Sequence, residues 1–293
     1  MAPPLPRPPV VLSIAGSDPS GGAGIQADLK TCSALGAYGT CVITALTAQS
    51  TRGVTQVHEV PTEIVRAQVE TLVADVRVDV VKLGVLASVA IVEMVHELLV
   101  TGPLATAAVV LDPVMVSTSG SRLLAPDAVA AVRALLPRAD VITPNLPEAA
   151  VLLGEDTVGA VDALRGQAQR LLDLGARRVL LTGGHLEGDA SVDLWADAAG
   201  SVPIEAPRIA TSSTHGTGCT LSSAIAALRP RHDDWLPAVL EAKAWLTEAL
   251  RHGDSLDIGR GHGPVHHFHE HARWQAPLRP DGSPKHDQGF TKG

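Results

Sequence analysis

Aromatic residues and cysteines are scarce in this chain of 293 residues. Phe, Trp and Tyr make up 2% of it, although hydrophobic residues as a whole reach 45%. The core must therefore be built from Val, Leu, Ile and Ala, which suits buried parallel strands and alanine-rich helices. The three cysteines, Cys32, Cys41 and Cys219, form neither a disulfide framework nor a C-x-x-C metal site, so a cytoplasmic location is expected.

Membrane and nucleic-acid signals are also missing. No apolar run reaches the roughly 18 residues that a membrane span needs. The N-terminal segment MAPPLPRPP lacks the apolar stretch of a signal peptide. A long basic run is absent, and the net charge of −8 argues against a nucleic-acid-binding protein. The sequence therefore predicts no membrane and no nucleic-acid partner.

Short apolar runs alternate with helical patterns along most of the chain. The predicted strands are VVLSIA (10–15), TCVITAL (40–46), DVVKLG (79–84), AAVVLD (107–112), DVITP (140–144) and RRVLLTGG (177–184), followed by a hairpin at 191–207. Helices are expected at 25–36, 65–76, 125–136, 160–175, 217–228 and 234–252. This order predicts one α/β domain over 10–275, with a mainly parallel sheet between two helix layers. We expect a flexible proline-rich arm at 1–9 and a disordered tail at 276–293.

The segment THGTGCTLSSAIAAL (214–228) places two glycines and a cysteine at the start of a predicted helix. Gly216 and Gly218 permit a tight turn that a ligand can approach closely. The first N–H groups of a helix lack partners within it, and the helix dipole adds positive charge, so the turn favours phosphate. Cys219 would lie where a thiolate is favoured and could accept a proton from a substrate hydroxyl. The alternative is a small buried hydrophobic residue at an ordinary helix start.

Other nucleotide and hydrolase motifs are not found. The chain has no G-x-x-x-x-G-K-[ST] and no G-x-S-x-G, and the loop GSDPSGGAG lacks the spacing of a dinucleotide motif. Asp28, on the helix after that loop, could accept a hydrogen bond from a substrate hydroxyl or could simply complement the helix dipole. Polar residues also follow other predicted strands, where ligands of such sheets bind. These residues are Ser17, Asp18, Gln49, Asp112 and Asn145.

Eight ordered segments resemble the hydroxymethylpyrimidine/phosphomethylpyrimidine kinases of thiamine biosynthesis. They cover roughly residues 10 to 270 and read AGSDPSGGAGIQADLKTCSALGAYG, ITALTAQST, KLGVLAS, LDPVMVSTSG, ITPNLPEA, GGHLEG, APRIATSSTHGTGCTLSSAIAALRP and GPVHHFH. The resemblance implies a three-layer αβα, ribokinase-like fold. It also implies transfer of the γ-phosphoryl group of ATP, with Mg²⁺, to an aminopyrimidine alcohol and then to its monophosphate. A homodimer is common in this fold.

The resemblance also implies a substrate pocket. Gln49 matches the glutamine that pairs with the pyrimidine edge, since an amide offers one donor group and one acceptor. Asp28 matches a residue that holds the hydroxymethyl end, and Gly16 and Val114 match pocket walls. Val85 stands where the family often has methionine, and its shorter side chain would leave more room above the ring.

The catalytic and ATP-binding positions follow in the same way. Cys219 matches the proposed base, and Gly216, Thr217 and Gly218 would form the anion hole. On the ATP and Mg²⁺ side, Asn145 and Glu148 match an N-x-x-E element, and Asp112 is a second metal candidate. The helix that carries Lys243 is a candidate for the adenine pocket, and Thr182 departs from the family pattern. A lysine that reaches the ATP phosphates is common at the position of Thr182, so its absence could slow transfer.

Two alternative functions and one histidine-rich segment remain to be considered. A pyridoxal or pyridoxine kinase would act on a similar hydroxymethyl group, and a weakly catalytic ligand-binding protein is the second alternative. The segment GHGPVHHFHEH resembles a metal cluster through His266, His267, His269 and His271. No cysteine or carboxylate partner stands at zinc spacing, so we expect packing rather than metal binding.

Overall fold

A computed structural model describes residues 7–115, 127–157, 163–184, 186 and 188–271. The predicted tail at 276–293 and most of the predicted arm lie outside the described residues. Residues 7 to 9 are anchored, because Arg7 Nη2 lies 2.8 Å from both carboxylate oxygens of Asp79. In addition, the Tyr38 N–H donates to the Pro9 carbonyl at 2.7 Å. The N-terminal segment is therefore tied to the domain from residue 7 onwards.

The strands of the described chain form one nine-stranded sheet in the order β3-β2-β1-β4-β5-β6-β7-β8-β9. Their bounds are β1 Val10–Ser17, β2 Tyr38–Ser50, β3 Gly53–Glu59, β4 Val80–Leu83, β5 Ala108–Leu111, β6 Val141–Ile142, β7 Val179–Leu181, β8 Ala190–Asp197 and β9 Gly200–Pro207. The strand pairs β2-β1, β1-β4, β4-β5, β5-β6 and β6-β7 are parallel. The pairs β3-β2, β7-β8 and β8-β9 are antiparallel. The predicted parallel sheet and late hairpin are confirmed.

Helices cover both faces of this sheet. Their bounds are α1 Gly24–Ala34, α2 Thr62–Val73, α3 Val89–Val100, α4 Ala128–Leu135, α5 Leu146–Leu153, α6 Leu164–Asp173, α7 Thr217–Leu228 and α8 Trp235–Arg251. One apolar cluster joins α2 to α6 with the sheet, and a second joins α1, α7 and α8 with its other face. Successive strand residues point to opposite faces, so Val11 lies in the second cluster and Leu12 in the first. The three-layer αβα fold is confirmed.

The ends of the strands bring the predicted site residues together. β1 leads to the loop before α1, and β2 carries Gln49 close to its end. Asp112 follows β5, and Asn145 begins α5 with a capping box. In it the Asn145 side chain accepts the Glu148 N–H, and the Glu148 carboxylate accepts the Asn145 N–H. In the parts of the chain that the structure covers, no helix is long and apolar enough to cross a membrane.

Candidate active site

The glycine turn before α7 packs directly on the loop before α1. Gly216 caps α7 at φ +75°, and a Cβ there would overlap the carbonyl oxygen of Gly22. A side chain at this position is therefore excluded twice, by backbone strain and by contact. The first helical hydrogen bond joins the Thr220 N–H to the Gly216 carbonyl at 2.8 Å. The N–H groups of Gly218 and Cys219 lie at the end of the helix that attracts anions, and phosphate binding there stays a prediction.

Cys219 lies between the beginnings of two helices. The backbone N–H of Gly24 in α1 lowers the pKa of Cys219, and the Cys219 side chain lowers that of Asp112. Burial raises the pKa of Cys219 to about 12; the Lys82 ammonium lowers it, but the Asp112 and Asp28 carboxylates raise it. The expectation of a lowered pKa is therefore wrong for the ligand-free protein. The helix dipole is outweighed mainly by burial of the sulfur and then by the charges of the two carboxylates.

Lys82 is a buried cation beneath this turn, and sequence reasoning missed it. Its side chain is 0% exposed, and Nζ lies 3.0 and 3.1 Å from the two oxygens of Asp28 and 3.9 Å from Asp112 Oδ2. Although burial by itself lowers the pKa of Lys82, the charge of Asp28 raises it above its usual range, helped by Cys219 and Asp112. A lysine inside the apolar strand DVVKLG was the available signal, since lysine is almost never buried unless it is paired.

Asp28 does not line an open pocket. It is 1% exposed, and its oxygens accept hydrogen bonds from Ser13 at 2.5 Å, Ser223 at 2.7 Å and Lys82. The predicted contact with a substrate hydroxyl stays a prediction; in this structure both oxygens of the carboxylate are already hydrogen-bonded. Asp28 neutralises Lys82, and the alternative of an exposed first-turn residue is wrong because Asp28 is buried.

Asp112 and Glu148 form a buried acidic pair. Asp112 accepts a hydrogen bond from Ser222 at 3.1 Å and lies below Gly218, whose Cβ would be 3.9 Å from Oδ2. Burial and the Asp28 charge raise the pKa of Asp112 against the opposing effect of Lys82. Burial and the Asp112 charge raise the pKa of Glu148 to about 8. Two carboxylates that destabilise each other's charge fit a divalent cation with oxygen ligands, because the cation would stabilise both anions.

Thr182 and Lys243 lie on the predicted ATP side. Thr182 pairs with Asn145 in an isolated parallel bridge, and its N–H donates to the Pro144 carbonyl at 2.9 Å. Lys243 is ion-paired with Asp193 at 2.7 Å. The second oxygen of Asp193 accepts the N–H of Gly183, directly after Thr182, at 3.0 Å. Lys243 is thus connected to the loop after β7 through Asp193.

Gln49 is partly exposed and lies beside a buried histidine. Its side-chain nitrogen is 3.3 Å from His215 Nε2, and the same ring nitrogen is 2.8 Å from Asp18 Oδ2. His215 directly precedes the glycine turn, so the turn and the predicted substrate amide are joined by one side chain. Sequence reasoning did not assign a role to His215, and it noted Asp18 only for its place after a strand.

Two of the three predicted pocket-wall residues, Gly16 and Val85, are neighbours in the structure. A Cβ on buried Gly16 would lie 3.6 Å from the Val85 Cβ. The partly exposed Val85 accepts a hydrogen bond from Thr44 through its carbonyl at 2.6 Å. Val114 is partly exposed too, and its N–H donates to the Asp112 carbonyl at 2.8 Å. Gly16 and Val85 therefore share one wall, whereas Val114 extends from the acidic pair.

Three of the four C-terminal histidines pack in the interior, as expected, whereas His271 is exposed. His266, His267 and His269 are each 6% exposed or less. His267 Nε2 lies 3.1 Å from the Thr220 hydroxyl, and the His269 ring lies 5.6 Å from that of Trp245. Among the described residues, no group of three or more His, Cys, Asp or Glu side chains is arranged to hold a metal ion.

Comparison with known proteins agrees with this geometry. The family model of phosphomethylpyrimidine kinase matches residues 18–266. The hydroxymethylpyrimidine/phosphomethylpyrimidine kinase of Escherichia coli K12 is 53% identical over 259 residues, which is 88% of this chain and 97% of the relative. An ADP complex of Bacillus subtilis pyridoxal kinase has a TM-score of 0.82 at 36% identity and covers 90% of this chain and 99% of its own. Phosphomethylpyrimidine kinase from Clostridium difficile 630 has a TM-score of 0.71 at 40% identity, covering 82% of this chain and 99% of its own. The chain therefore belongs to the phosphomethylpyrimidine kinase family.

Proposed function

We propose that the protein transfers the γ-phosphoryl group of ATP to 4-amino-5-hydroxymethyl-2-methylpyrimidine and then to its monophosphate. The observation that carries this proposal is the glycine turn of α7 packed on the α1 loop, with Cys219 between the two helix beginnings. The substrate oxygen forms a bond to the γ-phosphorus while the bond from that phosphorus to the leaving ADP oxygen breaks, and the hydroxyl proton passes to an oxygen of the transferred phosphoryl group. Positioning and charge stabilisation supply most of the acceleration in such reactions.

The turn residues bind the migrating phosphoryl group in this proposal. The N–H groups of Gly218 and Cys219, with Gly216 and Thr217, donate to its oxygens. Cys219 orients the substrate hydroxyl. The thiol is not ionised before substrate binds, because burial raises its pKa to about 12. We therefore assign Cys219 to orientation rather than to a preformed thiolate base.

Asp112 and Glu148 would hold Mg²⁺, with Asn145 fixing Glu148 through the capping box. Bound there, the metal would supply positive charge beside the phosphates. Thr182 and the loop after β7 would contact the ATP phosphates, and Lys243 would support that loop through Asp193 rather than bind phosphate itself. In this arrangement the buried Lys82 is the cation whose charge lowers the pKa of Cys219.

The substrate ring would lie between the wall made by Gly16 and Val85 and the amide of Gln49, with Val114 near the acidic pair. We propose the cytoplasm as the place of action, because all three cysteines are free thiols, which is usual in a reducing compartment. The homodimer stays a prediction, which sedimentation of the purified protein tests.

Cysteine variants test the reaction and the role of the sulfur together. Wild-type protein should release ADP when given ATP, Mg²⁺ and the pyrimidine alcohol. Cys219→Ala should lower kcat by about 100-fold, the scale of a mispositioned reactant. Cys219→Ser keeps a group that hydrogen-bonds the hydroxyl and should lose no more than about 10-fold. Equal losses in the two variants would reject orientation in favour of a thiolate base.

Pyridoxal kinase activity is the second candidate, favoured by the fold match to a pyridoxal kinase. Values of kcat/KM for the pyrimidine alcohol and for pyridoxal, measured side by side, decide between the two rings. We expect the pyrimidine to be preferred. A preference for pyridoxal would overturn the proposed substrate.

A further inference from the structure

Asp18 is a buried carboxylate that accepts hydrogen bonds from several directions. It is 2% exposed, and it accepts from the N–H groups of Ser20 and Ala23, each at 2.8 Å, and of Gly22 at 3.2 Å. Burial alone would raise the pKa of Asp18, but hydrogen bonds from His215, Ser20 and Ala23 hold it below its usual value. Asp18 is therefore ionised at neutral pH and can only accept hydrogen bonds.

His215 must present a hydrogen to this carboxylate. Its Nε2 lies 2.8 Å from Asp18 Oδ2, so Nε2 carries a hydrogen in either charge state of the ring. The ring is 5% exposed and is wedged against Gly22, where a Cβ would overlap it. The backbone N–H of His215 is bonded to the Gly263 carbonyl at 2.9 Å. Both the hydrogen and the ring plane are therefore fixed.

This hydrogen determines which end of the Gln49 amide faces the histidine. Because Nε2 carries a hydrogen and has no lone pair to offer, the Gln49 atom 3.3 Å from it cannot donate to it; we assign that atom as the amide oxygen, which shares the Nε2 hydrogen with Asp18. The amide nitrogen then lies 3.1 Å from the Thr47 hydroxyl and donates to it. Thr47 in turn donates its own hydrogen to the Ser17 carbonyl at 2.8 Å. In this orientation every donor faces an acceptor, whereas the opposite orientation sets two donors against each other.

We propose that Asp18, His215 and Thr47 are positioning residues that hold the Gln49 amide in one orientation and thereby select an aminopyrimidine edge. The amide keeps one free acceptor site on its oxygen and one free N–H. These match an exocyclic amino group beside a ring nitrogen. A pyridoxal-type ring has no amino group to offer and would satisfy only part of the amide. This inference rests on the proposed function, since it takes the pyrimidine as the ligand of Gln49.

Two variants break the chain of hydrogen bonds at opposite ends. Asp18→Asn can face His215 with either its oxygen or its nitrogen, so it no longer dictates the ring hydrogen. Thr47→Val removes the acceptor for the Gln49 amide nitrogen. The matched control is Thr55→Val, on β3 of the same hairpin, whose exposed hydroxyl bonds only the Ala48 carbonyl among the described groups. Circular dichroism checks that each variant is folded, and Thr47→Val keeps the test decisive should Asp18→Asn fail to fold.

Steady-state kinetics with both rings provide the readout. In Asp18→Asn and Thr47→Val, we expect KM for the pyrimidine alcohol to rise about 10-fold and the kcat/KM preference over pyridoxal to fall by a similar factor. KM for ATP should not change, and Thr55→Val should match wild type. Variants that keep the wild-type preference for the pyrimidine overturn this inference but leave the proposed function standing. An equal rise in KM for the pyrimidine alcohol and in KM for ATP also overturns it, because it indicates a merely structural role. A wild type that phosphorylates neither ring overturns the proposed function instead.

Discussion

Replacing Lys82 by methionine tests whether the buried charges beneath the glycine turn are as tightly paired as the structure indicates. Methionine keeps most of the side-chain volume but removes the ammonium, which lies 3.0 and 3.1 Å from the Asp28 oxygens. Asp28 is 1% exposed and would remain as a buried anion close to Asp112. Removing one partner of a buried ion pair costs about 3–5 kcal/mol. Because whole domains are stable by only about 5–15 kcal/mol, the loss should be large.

A double variant separates the charge from the packing. In Lys82→Met with Asp28→Asn, neither group is ionised, and asparagine can still bond Ser13 and Ser223. Neutral replacement of a buried pair is often close to neutral for stability, so the double variant should recover at least about 2 kcal/mol of the loss. Lys30→Met is the matched control, because Lys30 is only partly buried and bonds the Gly21 carbonyl.

Urea unfolding followed by circular dichroism at pH 7 measures these free energies. The control should lose about 1 kcal/mol or less, as expected for one hydrogen bond. A Lys82→Met variant that loses no more than the control would refute the reasoning. A double variant no more stable than the single one would refute it too, because the cost would then come from packing and not from an unpaired charge.

Three further outcomes follow from the same site. The pKa of Cys219 is raised to about 12 in the ligand-free protein, so few of these thiols are ionised at pH 8. Its reaction with iodoacetamide at that pH, followed by peptide mass spectrometry, should be at least about 100-fold slower than that of a free thiol. A rate equal to that of a free thiol would show that the thiolate is already formed. Glu148 has its pKa raised from 4.5 to about 8, so it holds a proton more firmly in the folded state, and the resulting stability is lost as pH rises through 8. The Tm of Glu148→Gln minus the Tm of wild type, both measured in EDTA, should therefore increase between pH 5 and pH 9. A Tm difference that stays constant over this pH range would contradict the raised pKa. Gly216→Ala should be strongly destabilised in thermal melts and inactive, whereas Gly184→Ala, where a Cβ would meet no atom of the described residues within 4 Å, should melt like wild type.

The architecture could be predicted because its signals are local. Runs such as VVLSIA and AAVVLD stand between helical patterns, and each became a buried parallel strand. The start of α7 was predicted at Thr217, where the structure has it, because a glycine turn and an apolar repeat both mark it. β3 was not predicted as a strand, since five of its seven residues are exposed and it has no apolar face to reveal it.

The sequence could predict where the candidate site residues lie in the fold, but not which of them are ionised or paired. Gln49, Asp112 and Cys219 all lie near the strand ends or the glycine turn, as the order of elements required. The roles of Asp28 and Lys82 could not be read in the same way, because these residues are 54 positions apart and meet only in the folded protein. No periodicity or spacing indicates that two such side chains share a buried hydrogen-bonded pair.

The sequence by itself determined the strand and helix order, the glycine turn and the family, because these depend on neighbouring residues and on ordered motifs. The tertiary structure alone decided that Cys219 is a neutral thiol, that Asp28 is occupied by Lys82, and that Gln49 is joined to Asp18 through His215. The physical reason is that burial and the distance between charges control ionisation and hydrogen bonding. Both are set by the packing of α1 and α7 against the strand ends.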